Sequence, residues 1–135
     1  MITVLDASAA LEIAFNREDA VRFKSILFNS DVVIAPDIFP SEITIAIWKY
    51  RILASVDQRK CEAAIDYCID MIDDYIGTKE LCREVFSQSV KSKHPVNDMF
   101  YLVVARRNGA VLITKDQKLI KLAKEMQIEV IENKS

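Results

Sequence analysis

Short apolar runs rich in β-branched residues recur along the chain, separated by stretches whose apolar residues return every three or four positions. This alternation constrains the fold more than any other feature. The clearest run is Ala110-Val111-Leu112-Ile113-Thr114; Ile2 to Leu5 and Val32-Val33-Ile34-Ala35 read the same way, the latter closed by Pro36. Each is apolar at successive positions rather than at every second one, the pattern of a strand covered on both faces. A weaker run lies at Tyr75-Ile76 and a last one at Glu129-Val130-Ile131.

Helices fill the intervals. One is expected from about Ser8. Pro40 and Ser41 open another through Ile43, Ala46, Ile47, Tyr50 and Leu53, and Asp57 is a good N-cap for a third that reaches about Ile72. Thr78 reads as the cap of a helix to about Ser92, Pro95 begins one that stops near Asn108-Gly109, and a last one covers Asp116 to Met126. Strands alternating with helices imply a parallel sheet with helices on both faces, since right-handed crossovers place them there. The fold class is therefore α/β, a three-layer α/β/α arrangement with about five strands.

At 135 residues and 51% hydrophobic, with two glycines and three prolines, the chain reads as a single domain over 1–135. The start lacks the charged leader and cleavage site of a signal peptide, and no apolar run approaches a bilayer span, so a cytoplasmic protein with no membrane contact is expected. Cys61, Cys68 and Cys82 form no CxxC pair; Cys61 and Cys68 lie seven apart on one helix face, as core residues would. His94 is the only histidine, which argues against zinc. The net charge of −2 announces no nucleic-acid binding, so any such contact must be local. Candidate cations are Lys91, Lys93, Arg106, Arg107, Lys115, Lys118 and Lys121, all equally readable as solvated surface.

Four acids fall at suggestive places. Asp6 follows the first strand, Asp116 follows the fourth, and Glu42 and Asp98 open the helices begun by Pro40 and Pro95. Ligand sites of open parallel sheets gather outside the carboxyl ends of the strands. Taken singly, each acid has a structural explanation: Asp6 and Asp116 as helix caps, Glu42 and Asp98 as first-turn acids favoured by the helix dipole. Glu42 and Asp98, however, border the apolar segments Ile43 to Trp48 and Met99 to Val104. Carboxylates gathered beside buried segments must take up protons or find a cation. Hard oxygen donors suit Mg²⁺ or Mn²⁺.

These segments resemble the PIN-domain nucleases, and among them the small VapC-like toxins of toxin-antitoxin pairs. The resemblance rests on Val4-Leu5-Asp6-Ala7-Ser8-Ala9-Ala10-Leu11, on Pro40-Ser41-Glu42, and on the tail from His94 through Asn97-Asp98-Met99-Phe100-Tyr101 and Arg106-Arg107-Asn108-Gly109 to Leu112-Ile113-Thr114-Lys115-Asp116-Gln117-Lys118-Leu119. It implies a sheet ordered 3-2-1-4-5 and a metal-dependent endoribonuclease acting on RNA. Asp6, Glu42, Asp98 and Asp116 match the acidic positions, with Ser8 and Thr114 as supporting polar residues. Ala7 stands where a Thr is common, and Lys118 where some members add an acid. The resemblance also implies a homodimer and a small antitoxin protein laid near the active site. More apolar surface on Ile43, Ile47, Trp48, Tyr50 and Ile52 than one helix side can hide points to the same assembly, although Trp48 could also be buried within one chain.

Four other functions compete. A phosphatase of the haloacid dehalogenase type would need a second Asp where Ser8 stands, and a receiver module would need adjacent acids after the first strand and a Lys after the last. A catalytically silent PIN-like scaffold should have lost part of the acid set. A stand-alone RNA-processing nuclease would carry the same acids as a toxin.

Overall fold

The computed structural model describes residues 1–132. Its sheet has four parallel strands, β1 (Ile2–Leu5), β2 (Val32–Pro36), β3 (Asp74–Ile76) and β4 (Val111–Ile113), in the order β3-β2-β1-β4. Thr3 sits opposite Val33 on one side and Val111 on the other, so β1 is central and its apolar side chains are shielded from both faces. Val4, Leu5, Ala35, Leu112 and Ile113 are almost wholly buried, as expected of strands apolar at successive positions.

Among the described residues seven helices surround the sheet: α1 (Ala7–Ala14), α2 (Ala20–Phe28), α3 (Phe39–Leu53), α4 (Gln58–Asp70), α5 (Cys82–Ser92), α6 (Val96–Asn108) and α7 (Gln117–Glu125). The helix expected from Ser8 is a pair, broken where Asn16 takes φ 51°. Asp57 caps α4 through Lys60 N as expected, and Gly109 ends α6 at φ 58°, the left-handed conformation that glycine adopts without a Cβ penalty.

Two expectations need correction. Thr78 does not cap a helix: its hydroxyl donates to Asp37 at 2.8 Å, a single 3-10 turn (Lys79–Leu81) follows, and α5 starts only at Cys82. The sheet has four strands rather than five, because the segment around Val130 meets β4 through one bridge, Leu112 to Val130. That bridge carries two backbone bonds, Leu112 N to Glu129 O (2.9 Å) and Ile131 N to Leu112 O (3.0 Å). Its parallel sense and place beside β4 keep the expected order.

Helix α6 is the core helix. Met99 and Tyr101 through Ala105 are all buried, joining Ile43 and Ile47 of α3, Phe23 of α2, and Cys61 and Cys68 of α4. The two cysteines pack as apolar residues, and burial pushes the Cys68 thiol up to about 12. Among the described residues no helix is long and apolar enough to cross a membrane.

Candidate active site

The first two acids are placed by β1 and β4, which lie side by side. Asp6 continues β1, with its N–H donating to Ile113 O at 3.2 Å, and its side chain caps α1 by accepting from Ala9 N at 2.9 Å. Ser8 Oγ donates to the same oxygen at 2.8 Å, and the Thr114 hydroxyl donates to the other. Asp116 caps α7 through Lys118 N (2.9 Å) and Leu119 N (3.4 Å). The strand ends are laced together: Lys115 N donates to Ser8 Oγ at 2.9 Å, and Asp116 N to Thr114 Oγ1 at 3.1 Å. Ser8 and Thr114 thus fix the buried Asp6 carboxyl and join the two loops.

Glu42 and Asp98 occupy the first turns of α3 and α6. Tyr101 donates its hydroxyl to Glu42 Oε1 at 2.5 Å, and His94 Nε2 lies 3.0 Å from Asp98 Oδ2. Neither partner was anticipated as a site residue. For Tyr101 a signal existed, since it stands three residues after Asp98 and therefore shares its helix face. For His94 the intervening Pro95 hides the relation.

The acids feel one another. Burial pushes Asp6 up to about 6 against the opposing hydrogen bonds from Thr114, Ala9 and Ser8, and the Asp98 charge adds to the rise. Burial likewise raises Glu42, with Asp98 contributing, and raises Asp98, with Asp116 contributing. Burial is also the main reason the Tyr101 phenol is raised, and the charges of Glu42, Asp6 and Asp98 add to it. Asp98 is thus electrostatically linked to each of the other three acids.

A cleft of about 420 Å³ opens between α1 and α3, with Ser8, Glu42 and Asn97 at one end and Lys49 and Tyr50 at the other. Several of the expected cations are already engaged elsewhere. Lys115 Nζ reaches Asp19 at 2.6 Å and Glu12 at 3.7 Å, while Arg106 and Arg107 pair with Glu84 at 3.4 and 2.8 Å. Among the described residues no three His, Cys, Asp or Glu side chains converge closely enough to grip one ion together.

A parallel α/β sheet with acids gathered at the carboxyl ends of its central strands defines the class. The PIN domain model matches residues 3–125, and the chain belongs to the PIN domain family. No curated protein sequence matches it. Among solved structures it is similar to PAE2754 from Pyrobaculum aerophilum, with 21% identity over 96% of this chain and 83% of that one and a TM-score of 0.76. It is also similar to VapBC2 from Rickettsia felis, solved bound to a DNA fragment from their promoter, with 14% identity over 97% and 98% of the chains and a TM-score of 0.68. VapBC-1 from nontypeable Haemophilus influenzae gives 19% identity over 98% of both chains and a TM-score of 0.65.

Proposed function

We propose that the chain is a divalent-metal-dependent endoribonuclease that hydrolyses RNA phosphodiester bonds and serves as the toxin of a toxin-antitoxin pair. The observation that carries this reading is Asp6: a buried carboxyl, locked by Ser8, Thr114 and Ala9 and electrostatically joined to Asp98, in a chain of the PIN domain family. Capping alone requires only an oxygen at the helix start, not a carboxylate withdrawn from water.

The donor set fits the ion. It consists of carboxylate oxygens whose mutual repulsion a hard dication relieves, and since no three of them converge on one point the ion must be one that keeps part of its water shell, as Mg²⁺ or Mn²⁺ does. Asp6 and Asp116 would hold the metal directly and Glu42 and Asp98 through water. When bound, such a metal supplies a water of lowered pKa and charge stabilisation at the phosphate. Ser8 and Thr114 orient Asp6, Tyr101 orients Glu42, and His94 orients Asp98, so these three acids are held by hydrogen bonds.

The assembly follows from α3. Its face bearing Ile45, Trp48 and Ile52 is more than half exposed, and Leu53 beyond it is 78% exposed. Such contiguous apolar surface marks a protein interface. We assign it to a homodimer, with a small antitoxin protein covering the neighbouring site in a cytoplasmic complex; the likeness in fold to VapBC structures supports an antitoxin partner. Light scattering at micromolar concentration should give twice the 15.4 kDa chain mass, and a purely monomeric species would remove the dimer.

The decisive assay is RNA cleavage by the purified chain in chelator, Mg²⁺ and Mn²⁺, with Asp6→Asn in parallel. Cleavage should need the metal and the carboxylate together. Cleavage that is equal in chelator and in Mn²⁺ would remove the metal from the mechanism, and no cleavage in any of the three would leave a silent PIN scaffold as the reading.

A further inference from the structure

A chain of net charge −2 must hold a polyanion locally if it is to cut one, and the far end of the cleft is built for that. From Ser8 and Glu42 the cleft runs past Leu11 and Ala46 to Lys49 and Tyr50. Glu42 and Tyr50 are eight residues apart on α3, roughly 12 Å along the helix axis. There Phe15, at the end of α1, meets Tyr50 edge to face, with ring centroids 5.2 Å apart and an interplanar angle of 85°. The Arg17 guanidinium lies over both rings, 5.5 Å from Phe15 and 5.3 Å from Tyr50, and its Nη1 donates to the Tyr50 hydroxyl at 3.4 Å. Lys60 Nζ stands 5.9 Å from the Phe15 ring.

Three cations gather at this end. Among the described residues Arg17, Lys49 and Lys60 form no ion pair, although the chain has 20 acids for 18 Lys and Arg. Lys115, Arg106 and Arg107 are paired with acids by contrast. Contact with two rings holds the Arg17 fork in place, and with only Nη1 engaged by the Tyr50 hydroxyl its remaining N–H groups are left for phosphate oxygens. Aromatic rings and guanidinium planes are also the surfaces on which unpaired bases stack.

We propose that Phe15, Arg17, Lys49, Tyr50 and Lys60 form a single-stranded RNA subsite a few nucleotides from the scissile phosphate. The ring and guanidinium stack carries a base, and the three unpaired cations engage the adjoining phosphates. The inference rests on the nuclease reading and adds to it the track by which the strand enters.

Binding is measured by fluorescence anisotropy with a labelled single-stranded RNA of mixed sequence, in an Asp116→Asn background so that the probe stays intact. Arg17→Gln, a change at an exposed side chain, should raise Kd about tenfold at low salt and reduce the slope of log Kd against log salt by about 0.7. Arg17→Lys should restore the slope but only part of the affinity, since it returns the charge without the planar stack. Lys24→Gln, an equal loss of charge on α2, should change neither. With Asp116 intact, Arg17→Gln should raise KM far more than it lowers kcat. Unchanged Kd and slope in both Arg17→Gln and Tyr50→Leu, with RNA still bound and cut by the unsubstituted chain, would overturn the subsite alone. An unsubstituted chain that neither binds nor cuts RNA in Mn²⁺ would overturn the nuclease reading and the subsite with it.

Discussion

Asp6 and Asp116 begin as the same local device and end in different physical states. Each follows a strand of the central pair, takes an extended backbone conformation and caps the next helix with its carboxyl. Asp116 does so at a half-buried position, accepting two backbone N–H groups. Asp6 is 6% exposed, accepts from two hydroxyls besides its helix, and is pushed up to about 6 by burial. Capping accounts for Asp116 completely as far as folding goes. It does not account for a carboxyl buried at a cost in free energy, and on the proposed function that surplus belongs to Asp6 as the anchor of the site.

The strongest way to break this contrast is activity. Asp6→Asn and Asp116→Asn should each lower metal-dependent RNA cleavage at least about a hundredfold, and the double variant little further, because groups that hold one reactive assembly fail together. Single-turnover cleavage in Mn²⁺ gives the ratios. Wild-type cleavage by Asp116→Asn would reduce that residue to a cap.

Next in size is the pH dependence of stability. The raised Asp6 carboxyl binds a proton more readily folded than unfolded, so the folded state of the metal-free chain is favoured below about pH 4. That advantage is lost as pH rises through about 6, a change on the order of 3 kcal/mol. Glu42 and Asp98, also raised, act in the same direction. Asp6→Asn should flatten most of this slope and melt at or above the wild-type temperature at pH 7, since the amide keeps the shape and removes the charge. Urea titrations at several pH values measure it; a slope unchanged by Asp6→Asn would mean that its burial carries no electrostatic penalty.

The smallest effect concerns Asp116 as a cap. Asp116→Ala should cost about 1 kcal/mol, the ordinary value for losing an N-cap. Chemical denaturation of the metal-free protein would show it, and a loss several times larger would mean that Asp116 supports more than α7.

Local signals explain why so much of the arrangement was readable in advance. Strands apolar at successive positions, the Asp57 and Asp116 caps and the Gly109 stop depend on residues near one another in sequence, and they stand where expected. Asp6, Glu42, Asp98 and Asp116 were nameable because strand ends and helix starts are local too. What escaped is contact between distant residues: the Tyr101 hydroxyl on Glu42, 59 positions away, and the Lys115 ammonium drawn to Asp19, 96 positions away. The same competition removed the Thr78 cap, whose hydroxyl found Asp37 across 41 positions. Trp48, whose burial could not be decided from the pattern, is 59% exposed because α3 turns Ile43 and Ile47 inward instead.

The pairing of β1 with β4 has a consequence for synthesis. Asp6 is made well before its hydroxyl partner Thr114, which lies 108 positions later, and the neighbouring strand β4 arrives with that partner. Chains grow from the amino end at a few to some tens of residues per second, so for several seconds the nascent polypeptide holds Asp6 without the strand that completes its surroundings. A ribosome that stalls anywhere before β4 releases a product lacking half the central strand pair. Asp6 and Asp116 therefore cannot be brought together before β4 has been made.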